Sequence, residues 1–300
     1  MRGLVLLIVV CAAGPAAAHG DASPWTNSTW TYDPWIIAPL YLSAILYLIG
    51  TQRLWRRAGL GRGVHYSQAC CFWAGWVALA LALMSPLHWA GERLFTAHMI
   101  EHAVLMVVAA PLIAAARPIG AMLWALPRRL RASVGRLRAQ VVRSRTWAGM
   151  SHPLGATALH GLAIWASHMP RLYQTVLDNV IAHRLQHVIF LATALLFWWS
   201  LMHARTRARG IAVFCLFVTS LHTGVLGILM TLSRRLWYPE QVAFAAQFGL
   251  TPLEDQQLAG LVMGVPMGLI YTGAALAIAA RWIAGSSAPH AGARHVVAAH

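Results

Sequence analysis

The sequence predicts an all-α fold, a polytopic membrane bundle of about seven transmembrane helices behind a cleaved signal peptide. Three observations carry this. The 300-residue chain is 59% hydrophobic and only 10% charged, a balance foreign to a soluble domain of this size. Its apolar residues gather in runs long enough to cross a bilayer, which takes roughly 20 residues. Its arginines concentrate between alternate runs, as a cytoplasmic excess of positive charge requires.

The first element is MRGLVLLIVVCAAGPAAAHG, with one arginine, a short apolar core and Ala16-Ala17-Ala18 before His19. It reads as a secretory signal peptide over 1–18. Residues 19–35 form an extracytoplasmic segment. The membrane domain covers 36–282, with spans near 36–52, 67–84, 95–115, 153–168, 184–204, 210–231 and 257–280. A disordered cytoplasmic tail, 283–300, closes the chain.

Charge tests this order. Four arginines follow span one, eight follow span three and three follow span five. With the mature N-terminus extracytoplasmic, these loops and the C-terminus are cytoplasmic. Asp21, Asp33, Glu92, Asp178, Glu240, Glu254 and Asp255 all fall outside, and Glu101 alone lies within a span. The location expected is a bacterial plasma membrane. The net charge of +15 then has a topological origin. The run RRLRASVGRLRAQVVRSR faces anionic lipid headgroups, and no nucleic-acid partner is expected. Cys70, Cys71 and Cys215 lie in apolar runs without C-x-x-C spacing, so no structural disulfide is expected; an inner thiol site for Cu(I) is one reading of them, and small apolar packing is the preferred one.

The 15 histidines are placed unevenly. His98 and His102 stand at i, i+4 in span three, on one helical face with Glu101. His183 and His187 repeat the spacing at the start of span five, and His168 ends span four. With a rise of about 1.5 Å per residue, His98, His168 and His183 lie near the outer boundary. Glu101, His102 and His187 lie about a turn deeper, and His160 and His222 deeper still. Converging faces would line a pocket open to the outside. Ionisable groups in lipid cost about 2–3 kcal/mol each on insertion scales, so they pair, face water or bind something. A lone intramembrane histidine such as His160 also serves as a helix–helix hydrogen-bond partner.

Imidazole suits copper, zinc, iron and haem, while thioether suits Cu(I). Met99, Met169, Met230, Met263 and Met267 lie on or beside the same spans, which tilts the choice toward copper. The H-x-x-E-H pattern of 98–102 also fits a zinc protease. That chemistry needs a third ligand and a glutamate free to act on water, and a lipid-spanning helix is the wrong setting. A di-haem protein would use His102 with His187, or His160 with His222, as axial ligands. A metal-free scaffold would use the polar cluster to hold helices together.

From about residue 35 to 282 the chain resembles the multi-spanning CtaG family of cytochrome c oxidase assembly factors, as distinct from the single-span copper protein sharing that name. The resemblance rests on HMIEHAVLMVVAAPLIAAARP, LHTGVLGILMTLSRRLWYP (221–239) and EDQQLAGLVMGVPMG (254–268). Glu101 stands where many members are expected to carry Gln. The resemblance implies a role in maturing haem–copper oxidases by delivering copper to the catalytic subunit. It points to His98, His102, His222, Asp255 and Gln256 as motif positions. The expectation is therefore a non-enzymatic assembly factor that takes copper from an extracytoplasmic donor. The expected metal-handling residues are His98, Glu101, His102, His160, His168, His183, His187, His222 and Asp255.

Overall fold

A computed structural model of the chain describes residues 30–204 and 208–286. The expected signal peptide, the His19 terminus and the tail beyond 286 lie outside the described residues. Within them the chain is helical, with no strand. The helices are α1 (Pro34–Ala58), α2 (Tyr66–Met84), α3 (Pro86–Gly91), α4 (Phe95–Ala103), α5 (Ala110–Ala116), α6 (Pro118–Ala125), α7 (Arg128–Arg143), α8 (Arg145–Met150), α9 (Pro153–Ser167), α10 (Pro170–Asp178), α11 (Val180–Met202), α12 (Arg209–Leu232) and α13 (Pro252–Ser286). A π-helical segment, Val104–Ala109, joins α4 to α5 without a break.

Six helices are long and apolar enough to span a bilayer: Pro34–Ala58, Tyr66–Met84, Phe95–Ala116, Val180–Met202, Arg209–Leu232 and Pro252–Ala284. Each falls on an expected span. The expected span at 153–168 is α9, and it is shorter than the others. Its 15 residues reach only about 22 Å, against a hydrocarbon core of about 30 Å. Pro153 opens α9 and Pro170 opens α10, and a proline disfavours helix in the residue before it. α9 nevertheless runs from the arginine-rich end of the bundle, where α7 and α8 lie, to the end that carries the histidines.

The span Phe95–Ala116 is the central pole, 61% buried where the others are 22–39%. α4 packs on α13, and α5 packs on α2 and α11. The π segment has an identifiable cause. In a π-helix each N–H bonds five residues back, as Ala110 N does to Leu105 O. Pro111 has no N–H to give Met106 O, its partner in that pattern. Trp198 Nε1 on α11 supplies the missing donor at 2.8 Å, fully buried. Trp198→Phe keeps the ring and removes the donor. We expect it to destabilise the protein by about 1–3 kcal/mol, read as a lower thermal midpoint in detergent than that of wild type.

α12 and α13 make the most extensive helix pair, and glycines permit it. A Cβ on Gly227 would stand 2.6 Å from Gly260 O and 2.8 Å from Gly264 N. These are backbone atoms and cannot step aside, so small residues set the interhelical distance. Gly227→Val should cost about 3 kcal/mol or more. A wild-type melting temperature in that variant would refute the close approach.

α1 is fastened at both ends. Asp33 accepts from Trp35 N at 3.0 Å and caps the helix, while its other oxygen accepts from Arg184 Nη2 of α11 at 2.7 Å. At the arginine-rich end, Arg53 Nη1 donates to Ala125 O at 2.6 Å and Trp124 O at 3.1 Å, the free carbonyls ending α6.

Candidate metal-handling site at the histidine end of the bundle

Two helices bring four imidazoles together because each carries histidines one turn apart. On α4 the rings of His98 and His102 have centres 4.2 Å apart. On α11 those of His183 and His187 are 4.7 Å apart. The pairs face each other, with His98 to His183 at 5.6 Å, His102 to His187 at 5.1 Å and His98 to His187 at 6.2 Å. Two imidazoles bound to one ion through metal–nitrogen bonds of about 2 Å hold their ring centres roughly 5 Å apart. These spacings bracket that value.

Glu101 lies at the centre and is 1% exposed. Its Oε1 accepts a hydrogen bond from His88 Nδ1 at 2.9 Å and lies 3.1 Å from His187 Nε2. That second contact is close but poorly aligned, and His187 Nε2 has no hydrogen-bond partner. His88 comes from α3 and is a cluster member that the sequence reading missed. Its ring centre is 6.2 Å from that of His183 and 6.1 Å from that of His187.

The expected open pocket is instead a closed, packed layer, and this corrects the sequence reading. His98 and His102 are each 2% exposed. α3 covers them, and Gly91 makes the cover tight. A Cβ there would stand 3.0 Å from Glu101 Oε2 and 3.3 Å from His98 Cα. Gln241 Nε2 donates to Gly91 O at 2.8 Å and pins the cover from the loop before α13.

Five buried ring nitrogens make no hydrogen bond: His98 Nε2, both ring nitrogens of His102, His183 Nε2 and His187 Nε2. Of these, His187 Nε2 has the Glu101 carboxylate as an ion-pair contact at 3.1 Å. A buried polar atom without a partner costs about 1–3 kcal/mol, and because each neutral imidazole has a single lone pair, the four facing rings could offer at most four nitrogens to a cation. As the side chains stand, no group of three or more His, Cys, Asp or Glu among the described residues closes into a coordination sphere. A metal could be held here only after ring rotations about the side-chain torsions.

The remaining expected residues are used differently. His168 ends α9, where its Nδ1 bonds Ile164 O at 2.7 Å and its carbonyl accepts from Tyr238 Oη at 2.6 Å. Its Nε2 has no partner. Tyr238 leads back to the cluster through Tyr173, whose ring lies 4.4 Å from it and 6.0 Å from His98. His160 is satisfied on both nitrogens, by Thr193 Oγ1 at 3.1 Å and Tyr271 Oη at 3.4 Å. That is the helix-bridging role open to a lone intramembrane histidine. His222 Nδ1 accepts from Trp165 Nε1 at 3.3 Å, which leaves Nε2 to carry the proton, buried and unpartnered.

Asp255 is already committed elsewhere. Its Oδ2 accepts from Phe95 N at 2.8 Å, and its Oδ1 accepts from Thr96 N at 2.8 Å and Thr96 Oγ1 at 2.7 Å. Both oxygens thus cap α4, a helix 160 residues earlier in the chain, and not α13, whose start Asp255 occupies. Gln256 closes the loop before α13, accepting from Trp237 N at 2.6 Å and donating to Arg235 O at 3.0 Å. Cys215 packs in the main core and Cys71 beside a second, separate apolar cluster.

His88 lies between spans two and three, and its proton affinity follows from its neighbours. Burial disfavours the charged ring, but the Glu101 hydrogen bond and negative charge outweigh it and raise its pKa. A raised folded value means the contact stabilises fully below the unfolded pKa of about 6.5. That contribution fades as pH rises through the folded value. We expect the stability gap between metal-free wild type and His88→Gln to be widest in mild acid and to narrow above neutrality. A gap independent of pH would show that the contact carries no charge.

A helical bundle with six helices able to span a bilayer and a buried carboxylate beside imidazoles at one end defines a class, a polytopic helical membrane protein with an ionisable cluster beneath its surface. The family model for the cytochrome c oxidase caa3 assembly factor (Caa3_CtaG) matches residues 45–285. The chain belongs to that family, as its motifs in spans three, six and seven predict. No curated protein and no solved structure matches it.

Proposed function

We propose that this assembly factor receives copper as cargo at the cluster of His98, His102, His183, His187 and Glu101 and passes it toward the copper centre of the oxidase catalytic subunit. The observation that carries this reading is the set of five buried ring nitrogens without a hydrogen bond on four facing imidazoles, with the Glu101 carboxylate 3.1 Å from one of them. Among first-row divalent ions, nitrogen-rich sites bind copper most strongly. Glu101 offsets the ion's charge, and His88 holds Glu101. The arginine asymmetry supports an extracytoplasmic position for this end, where a copper donor would meet it. Ligand exchange suffices, with no chemical turnover.

A haem held by His102 and His187 fits less well. It would lie between the rings, and 5.1 Å between their centres leaves no slot for a porphyrin. The scaffold reading draws on the absence of a closed coordination sphere. Against it, histidines kept only to join helices would have their nitrogens bonded, as His160 has.

The test is elemental analysis and an absorption spectrum of detergent-purified protein, loaded with copper and washed. Copper near one equivalent without a haem band is the expected result. A haem band would overturn the reading in favour of a redox protein, and neither metal nor haem would favour the scaffold.

A further inference from the structure

α7 has no place in the bundle. None of its residues is buried, and its main packing is light, against the neighbouring α6 and α8. Its pattern is nevertheless sharply two-sided. Leu130, Val134, Leu137 and Val141 recur at i, i+4, i+7 and i+11, which places them on one narrow stripe. They are 54%, 40%, 45% and 44% exposed. Arg131 and Arg138 flank the stripe on one side, and Arg129, Arg136 and Arg143 on the other.

We infer that α7 is an in-plane membrane helix, seated on the anionic face of the bilayer that the bundle crosses, with its leucine–valine stripe among the acyl chains. Three observations select this occupant. The stripe flanked by arginines on both sides is the arrangement of an interfacial helix, whose long basic side chains reach up to the headgroups. From Arg117 to His152 there is no Asp or Glu, so the segment complements negative charge along its length. The chain enters α7 from the central span through α6 and leaves it through α8 to α9, which keeps it at the level where those helices emerge. Trp124 marks that level, with the guanidinium of Arg131 4.2 Å and that of Arg57 5.4 Å from its ring centre, and tryptophan favours the interface. An RNA would engage the arginines but leave the apolar stripe in water.

The inference does not depend on the copper reading. The full chain is placed in nanodiscs of phosphatidylcholine alone, or of phosphatidylcholine mixed with phosphatidylglycerol, and amide hydrogen exchange is followed across 128–143. We expect exchange there to slow by roughly tenfold or more in the anionic discs relative to the neutral ones, since each arginine near such a surface contributes about 1 kcal/mol. Val134→Glu/Leu137→Glu should lose that protection while the spans keep theirs. Equal exchange in the two lipids, or unchanged protection in the double variant, would overturn the assignment. Protection that appears only on adding RNA would overturn it too.

Discussion

His98→Ala/His102→Ala should insert into the membrane and fold, yet lose copper binding by roughly a hundredfold or more. Losing even supporting groups around a metal costs 10–100-fold, and this variant removes half of the four facing imidazoles. Folding should survive because three of the four ring nitrogens involved make no hydrogen bond to break. The remaining loss is packing against Phe190 and Tyr173, whose rings lie 4.7 Å from His102 and 6.0 Å from His98. Two measurements on one preparation decide it, copper retained after washing and the thermal midpoint of the copper-free protein. Unchanged copper binding would sink the site assignment. Loss of folding before metal is added would make the histidines structural. His183→Ala/His187→Ala should repeat the copper loss from the opposite helix, as expected only if the pairs act on one ion.

This variant was legible from the sequence because i, i+4 spacing is a local property. Two histidines four apart on a helix share a face wherever the helix goes, and matching depths follow from the rise per residue. The spans were legible for a related reason, since a bilayer imposes their length. Contacts between segments with no pattern in common were not. His88 sits in a six-residue helix between spans, where neither periodicity nor apolar length marks it. The closing of the cluster depends on Gly91, and nothing local says that this glycine will meet Glu101 and not lipid. The π segment had a visible cause in Pro111, but its partner Trp198 lies on another helix. Arginine placement, by contrast, pointed to the basic loop, and residues 128–143 carry an amphipathic pattern that is local once read.

Asp255 shows the same limit from the functional side and makes the second test. A carboxylate opening a membrane helix beside a histidine cluster invites a metal-ligand role, yet its hydrogen bonds go to the start of α4. Asp255→Ala would leave Phe95 N and Thr96 N, two backbone donors at a buried helix start, without their acceptor, while Thr96 Oγ1 keeps the backbone carbonyl of residue 255 at 3.0 Å. We expect a loss of about 2–3 kcal/mol from the missing cap and its charge-assisted bonds. Because α4 carries His98 and His102, copper binding should weaken along with that stability. Asp255→Asn separates the roles. Its amide oxygen can still cap one N–H, so a capping residue should retain much of its stability and copper binding. A charge-bearing ligand would instead lose copper at nearly unchanged stability. Asn close to wild type with Ala strongly impaired in both readouts is the expected pattern, and it would make Asp255 the residue that aims the α4 histidines at those of α11. Copper lost in Asn with the thermal midpoint intact would return Asp255 to the metal site.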